Sequence, residues 1–331
     1  MFDHIIGQEI PKKLLKNSLQ NNRLPSSLLF YGPEGVGKRT MAFALSKILN
    51  CKNTDIQHSE FRYCEVCPSC KKINHRNHPD VRIIEPESKG KREIPINAIR
   101  ELRREVMLTL YEGKKRIFLL LKADRMTTEA SNAFLKTLEE PPPDTLFILT
   151  STRPGFLLST ILSRCQKIRF SRLNPKDIEK ELIERLGLRE EKAKLLSRIS
   201  NGTLGGVLNH ENEEYLKFRE SFSNFFFQIP EKSHLDVLDY VEEVDPHQIL
   251  QFLFSFYRDL LLLKGENGEG FLENVDLLSS LRNLEKQLSL DEVISRIQEL
   301  EIGWNSFYHF VNPQLILSTF LFRHLKSDET I

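Results

Sequence analysis

The chain has 331 residues, enough for two or three domains. Its 47 basic and 46 acidic residues leave a formal net charge of +1, which excludes a polycation and requires any nucleic-acid contact to be local. A hydrophobic share of 40% and a charged share of 28% are ordinary for a soluble globular chain. The greasiest run, 249–263, carries Arg258 and Asp259 and is too short and too charged to cross a bilayer. The opening MFDHIIGQEI has no basic segment leading into an apolar one, so the expectation is a cytoplasmic protein with no membrane partner.

In chain order, the first informative segment is Ser27–Tyr31, a short apolar run that reads as a buried parallel strand. It leads into Gly32-Pro33-Glu34-Gly35-Val36-Gly37-Lys38, a phosphate-binding loop, and then into a helical pattern over Thr40–Leu49. Glycines in such a loop let backbone N–H groups wrap phosphate oxygens, the Lys reaches the terminal phosphates, and a following Ser or Thr holds Mg²⁺. Here Arg39 stands where the hydroxyl belongs. Thr40 comes one residue late, about 100° further round the helix. Gly32, Gly35, Gly37, Lys38 and Thr40 are the candidate nucleotide-binding residues, in a site expected to be vestigial.

Cys51, Cys64, Cys67 and Cys70 follow, the last three in two C-x-x-C steps. Without an export signal, clustered cysteines bind metal more often than they form disulfides, and four thiolates suit a closed, structural Zn²⁺ site. Pro68 stiffens the turn. His58, His75 and His78 are nearby but are expected to be surface or turn residues, not ligands. The fifth cysteine, Cys165, is remote.

Alternating segments continue: strand at 79–84, helix over Ile96–Leu110, strand at Lys115–Leu121, helix over Thr127–Glu140 stopped by Pro141-Pro142-Pro143, strand at Leu146–Thr150 and a last one at Gln166–Phe170. This alternation predicts an α/β fold, a parallel sheet with helices on both faces. The strand ending at Leu121 should carry an Asp for Mg²⁺ at its end in an active P-loop ATPase. It reads Leu121-Lys122, and Asp124 lies too far on, where a capping or pairing role is expected. Lys89, Lys91 and Arg92, then Arg100, Arg103 and Arg104, form a modest basic stretch that could line a duplex backbone or simply be a solvated helix face.

The remainder is helical. Asn174-Pro175, Asp245-Pro246 and Asn312-Pro313 are cap-plus-proline starts, and Ser289-x-x-Glu292 is a capping box. Two helices run from Pro175 to about Ser200, parted near Gly187. The 248–263 segment is apolar nearly all round and should be buried in a helix bundle, while 265–270 reads as a loop. Trp304 and Phe307 share a helical face and are expected in a core or an oligomer contact.

The opening Phe2-Asp3-His4-Ile5-Ile6-Gly7-Gln8, the four-cysteine insertion, Ala123-Asp124-Arg125-Met126-Thr127, Leu135-Lys136-Thr137-Leu138-Glu139-Glu140-Pro141-Pro142 and Ser163-Arg164-Cys165, in this order, resemble the clamp-loader branch of the AAA+ ATPases. The resemblance is strong to about residue 210. It implies an AAA+ core over 1–171 with a zinc module at about 51–70, a helical lid over 172–208 and an all-α collar over 209–331. It also implies that Arg164 is an arginine finger aimed at a neighbouring subunit's nucleotide. Thr152, with Ser151 as competitor, falls near the sensor 1 position, and Gly205-Gly206 stand where a sensor 2 Arg is normal. The implied function is an ATPase-defective subunit of the bacterial DNA polymerase III clamp loader. It would not turn over ATP with Mg²⁺. Its partners would be gamma/tau-type motor subunits and the delta subunit, with the sliding clamp and primer-template DNA reached through the complex. An active gamma/tau-type ATPase is the first alternative. It would have to hold Mg²⁺ without the usual hydroxyl or acid. A zinc-knuckle nucleic-acid-binding protein with a vestigial loop is the second, against which near-neutral charge speaks.

Overall fold

The computed structural model describes residues 2, 4–53, 62–86, 93–207, 211–265, 268–306 and 313–325. They form two compact units, Met1–Glu181 with Gly202–Gly205, and Leu182–Asn201 with Gly206–Ile331.

The first unit is built on five parallel strands, β1 (Ser27–Tyr31), β2 (Val81–Ile84), β3 (Arg116–Leu120), β4 (Thr145–Ser151) and β5 (Gln166–Arg169), in the order β2-β3-β4-β1-β5. Successive strand side chains point to opposite faces, so each strand feeds two apolar layers. Leu28, Phe30, Ile117, Leu119 and Ile148 pack with Leu15 and Leu19 of α1 (Glu9–Gln20) and Met41, Leu45 and Ile48 of α2 (Lys38–Asn50). Between α2 and β2 lies α3 (Pro68–Asn74); α4 is Ile96–Glu105 and α5 is Thr128–Glu139. Leu29, Phe118, Leu120, Phe147 and Leu149 pack on the other face with Ile99 and Leu102 of α4 and Phe134 and Leu138 of α5. The expected parallel sheet with helices on both faces is what forms.

Two local expectations need correction. The helix predicted over Ile96–Leu110 ends at Glu105. The buried Arg116 guanidinium takes the carbonyls of Val106, Leu108 and Thr109, and the Asp80 carboxylate accepts the N–H groups of Tyr111, Glu112 and Gly113. These side chains supply partners that the helix ladder would otherwise provide, and Met107, Leu108 and Tyr111 are left exposed. His78 is buried rather than superficial. Its Nδ1 accepts from the Asp80 N–H at 3.1 Å, which leaves Nε2–H to donate to Ser69 Oγ at 3.1 Å. Burial pushes its pKa down and keeps it neutral. His75 is exposed at the end of α3, and His58 lies outside the described residues.

After the short helix α6 (Ser159–Leu162) and β5 come α7 (Pro175–Leu186), α8 (Glu190–Ile199) and α9 (Leu204–Val207). Asn174 caps α7, its Oδ1 accepting from Lys176 N at 3.0 Å. The second unit then runs through α10 (Glu211–Gln228), α11 (His234–Glu243), α12 (Pro246–Leu263), α13 (Leu278–Gln287), α14 (Leu290–Ser306) and α15 (Pro313–Leu325). The expected central helix is α12, capped by Asp245 and buried through Ile249, Phe252, Leu253, Phe256 and Leu260, with α13, α14 and α15 around it. Ser289 and Glu292 make the expected reciprocal box, at 3.2 and 2.6 Å. Inside this apolar bundle the Asp259 carboxylate accepts from Glu273 N, Asn274 N and Asn274 Nδ2. Arg219 forks onto Asp276 at 2.7 and 3.1 Å. The predicted 265–270 loop contains a 3₁₀ turn over Gly268–Phe271, and residues 266–267 lie outside the described residues. So do Asn312, Phe307 and the side chain of Trp304.

Candidate functional site

The phosphate loop sits at the carboxyl end of β1, the edge of a parallel sheet where ligands bind. Gly32, Gly35 and Gly37 all take positive φ, at 145°, 76° and 98°. At Gly32 any Cβ would strike the Phe170 carbonyl oxygen at 2.1 Å, so only glycine fits there. Lys38 is 7% exposed. Its Nζ donates to the carbonyls of Gly32, at 2.6 Å, and Pro33. Burial lowers its pKa to about 8, against the raising fields of Glu34 and Asp124.

The other expected site residues do not converge on that loop. Thr40 is exposed on α2. Arg39, in the place of the Mg²⁺ hydroxyl, pairs with Glu85 at 3.3 Å, and Arg76 takes the other Glu85 oxygen at 3.4 Å. Leu121 stands in the place of the strand-end acid, and Lys122 after it reaches back to the loop and pairs with Glu34 at 2.8 Å. Lys122 holds a left-handed φ of 55°, uncommon for a residue with a side chain, and its N–H is taken by Thr150 Oγ1 at 2.9 Å. Thr152 is held by Asp124, which accepts its N–H at 3.2 Å and its hydroxyl at 3.4 Å. Asp124 therefore has a pairing role. Octahedral Mg²⁺ needs oxygen ligands. The positions that should provide them carry Arg39 and Leu121, so this donor set does not fit Mg²⁺·ATP.

Backbone closes the loop from two further sides. Leu204 N and Gly205 N, at the start of α9, both donate to the Gly35 carbonyl at 3.1 Å. A Cβ on Gly205 would meet Gly35 Cα at 2.9 Å, so the glycine in the sensor 2 position permits this approach. On the other side Gln8 Nε2 donates to Val36 O at 3.1 Å and Ser171 O at 2.6 Å, while its Oε1 accepts from Ser171 N. Gln8, at the end of the opening motif, thus ties the loop to the strand-end segment after β5. Charge alone would not have revealed Glu34, Glu85, Gln8 or Thr150. Each partner is distant in sequence and only the fold brings the two together.

Cys51, Cys64, Cys67 and Cys70 do converge. Their sulfurs all lie within 4.8 Å of one another, with Cys51 Sγ at 3.6 Å from Cys64 and 3.9 Å from Cys67. Tetrahedral zinc at its usual thiolate distance requires sulfurs about 3.8 Å apart. Backbone N–H groups already serve the thiolates: Cys67 N donates to Cys64 Sγ at 3.3 Å and Cys70 N to Cys67 Sγ at 3.4 Å. Burial pushes Cys67 up, but the N–H groups of Cys70 and Lys52 and the neighbouring thiols outweigh it and bring it down to about 6. Cys70 is pushed up, first by burial and then by Cys67 and Cys51. Four sulfurs this close, each offering one ligand atom, suit a single tetrahedral ion, and the set fits a structural metal. Pro68 is the first residue of α3, with Cys67 as its cap, so the stiff turn is a helix start.

Arg164 lies just before β5. Gln166 pairs with Leu28, near the start of β1, so Arg164 is at the sheet edge opposite its own phosphate loop. Four strand residues separate the two edges, roughly 13 Å. Its Nη2 donates to Glu139 Oε1 at 2.6 Å and its Nη1 to Thr160 O at 3.0 Å.

A cleft of about 440 Å³ between α4 and α5 is lined by Arg100, Arg103, Arg104 and Lys136, with Glu140 and Pro142. None of these four cations is ion-paired among the described residues. Lys89, Lys91 and Arg92 lie outside the described residues.

The family model described as "DNA polymerase III, delta subunit" matches residues 7–174, and that described as "DNA polymerase III, delta subunit, C terminal" matches 212–325. The DNA polymerase III subunit delta′ of Bacillus subtilis is 32% identical over 310 residues, which cover 91% of each chain. The chain belongs to the DNA polymerase III delta′ family. The delta′ subunit of Pseudomonas aeruginosa is 37% identical over 137 residues, 41% of this chain and 40% of that one. DNA polymerase III subunit tau of Bacillus subtilis is 27% identical over 92% of this chain, which spans 59% of tau's length. Membership makes the protein a DNA polymerase III subunit. No described helix is long and apolar enough to cross a membrane.

Proposed function

We propose that this chain is the ATPase-defective member of its clamp loader, and that it serves ATP hydrolysis by lending Arg164 to a neighbouring subunit. The observation that carries the first half is the Lys122–Glu34 pair, which sets a cation beside the loop directly after Leu121, the residue in the metal-binding acid's place. Arg39 on Glu85 and the bonds from Leu204 and Gly205 to Gly35 support it. The second half is supported by the placement of Arg164 at the sheet edge away from its own loop: a phosphate it meets belongs to another chain. A guanidinium suits that task because it stays charged and forks onto phosphate oxygens. The assignments 1–171, 172–208 and 209–331 to core, lid and collar belong to this reading. So do a structural Zn²⁺ on the four cysteines, a cytoplasmic location and assembly with gamma/tau-type and delta subunits. Purified chain with Mg²⁺ and ATP is expected to release no phosphate above buffer, whereas the assembled complex turns ATP over. Steady turnover by the chain alone would favour the gamma/tau-type alternative.

The sliding clamp and primer-template DNA are reached through the complex. The cluster of Arg100, Arg103, Arg104 and Lys136 supports a direct phosphate contact, because backbone recognition needs positioned cations and no base readout. Replacing Arg100, Arg103 and Arg104 together by Ala is expected to weaken primer-template binding by the complex. The slope of log affinity against log salt should become shallower by about 2–3, near 0.9 for each phosphate that is no longer neutralised. An unchanged slope would place the DNA elsewhere.

A further inference from the structure

We infer that Glu139 is a positioning residue for Arg164, a carboxylate that fixes the guanidinium in the direction from which it meets a neighbour's phosphate. The inference rests on the proposed role of Arg164 and adds to it the group that aims it.

Glu139 is the last residue of α5, and Glu140 follows it. Two acids at the carboxyl end of a helix oppose its macrodipole, so helix stability gives no reason for them. Glu139 places an oxygen 2.6 Å from Arg164 Nη2, while the Thr160 carbonyl accepts from Nη1 at 3.0 Å. Two acceptors on two arms of a planar group define its plane as well as its position. The guanidinium has five N–H donors, and Nε has no partner among the described residues. Donors therefore remain for an incoming phosphate while the holding bonds persist.

The supports beneath the pair are rigid. Ile161 and Cys165, close to Arg164 in the chain, are buried in the same apolar layer as Phe134 and Leu138 of α5. Cys165 is held as a neutral thiol, burial pushing it up to about 12. The acid and the arginine are thus mounted on two elements that share one core. The pair itself stays open, with side-chain exposures of 48% for Glu139 and 34% for Arg164. That exposure leaves the unengaged N–H groups of Arg164 accessible to an incoming phosphate while Glu139 holds the plane of the guanidinium.

The test uses the full chain assembled with its gamma/tau-type ATPase partners and follows single-turnover ATP hydrolysis, which resolves the site that faces Arg164. Glu139→Ala is expected to slow the phase belonging to the site that faces Arg164 by roughly three- to tenfold, with the ATP concentration for its half-maximal rate unchanged, because orientation is lost and nucleotide binding is not. Glu139→Gln keeps an acceptor at the same place and should stay within about twofold of wild type. In the Arg164→Ala background, Glu139→Ala should have no further effect. Should the Ala variant not assemble, Glu139→Asp, one methylene short, carries the same comparison. A wild-type rate for Glu139→Ala, or an equal fall in both backgrounds, overturns the inference while the role of Arg164 stands. An unchanged rate for Arg164→Ala alone overturns both.

Discussion

Arg164→Ala is expected to silence one ATP site per assembled complex while leaving this chain folded. Arginine fingers supply roughly 10³–10⁵ in rate in related phosphoryl transfer, by stabilising charge that develops on the transferring phosphoryl group. Only the site that faces Arg164 should lose that factor. A single-turnover experiment should therefore divide into a fast phase and a slow fraction worth one site. Arg164→Lys should not restore the fast phase, since an ammonium is a point charge without the fork. Folding should be spared, because a half-exposed pair such as Arg164–Glu139 contributes about 0–1 kcal/mol. Full-amplitude fast hydrolysis by the Ala variant would rule out the finger.

Cys70→Ser is expected to reduce bound zinc from one per chain to none and to destabilise the first unit. Cys70 is fully buried and lies among the other three sulfurs, so a hydroxyl there removes a ligand that water cannot replace. Structural Zn²⁺ in small zinc domains contributes ~10–16 kcal/mol of apparent binding free energy at neutral pH. Here the sheet and α2 already preform part of the site, so a loss of ~3–5 kcal/mol is the expected scale, or about 10 °C in the midpoint of the first unit. The knuckle reports on α2 directly: Lys47 pairs with Glu65 at 2.7 Å and lies over the Tyr63 ring at 4.5 Å. Cys165→Ser is the control, because Cys165 belongs to another layer and should leave the metal content unchanged. Elemental analysis of the wild-type chain that finds no zinc would remove the metal assignment altogether.

Much of the fold was legible because its signals are local. Strand alternation, the glycines around Lys38, the two C-x-x-C steps and the caps at Asn174, Asp245 and Ser289 each depend on residues a few positions apart. Departures from a motif were equally legible, since Arg39 and Lys122 stand at defined offsets within it. What those departures do instead was hidden. Lys122 meets Glu34, Arg39 meets Glu85 and Arg164 meets Glu139 across a folded sheet edge, and no local spacing encodes such meetings. The early end of α4 was hidden for the same reason. The apolar period runs on to Leu110, but Arg116 and Asp80 claim the backbone groups that would have continued the helix.

The bonds that hold the phosphate loop have a consequence for the cell. A loop that takes its shape from a bound nucleotide is only as ordered as the nucleotide pool allows, since that stabilisation varies with ligand concentration. Here the carbonyls of Gly32, Pro33 and Gly35, the N–H groups of Leu204 and Gly205, and the ammonium of Lys38 are all tethered to one chain. Their effective concentration is set by the fold. On the proposed function, the loop would keep the same form in a starved cell and in a fed one, and a neighbour that cycles through ATP would have beside it a surface that does not.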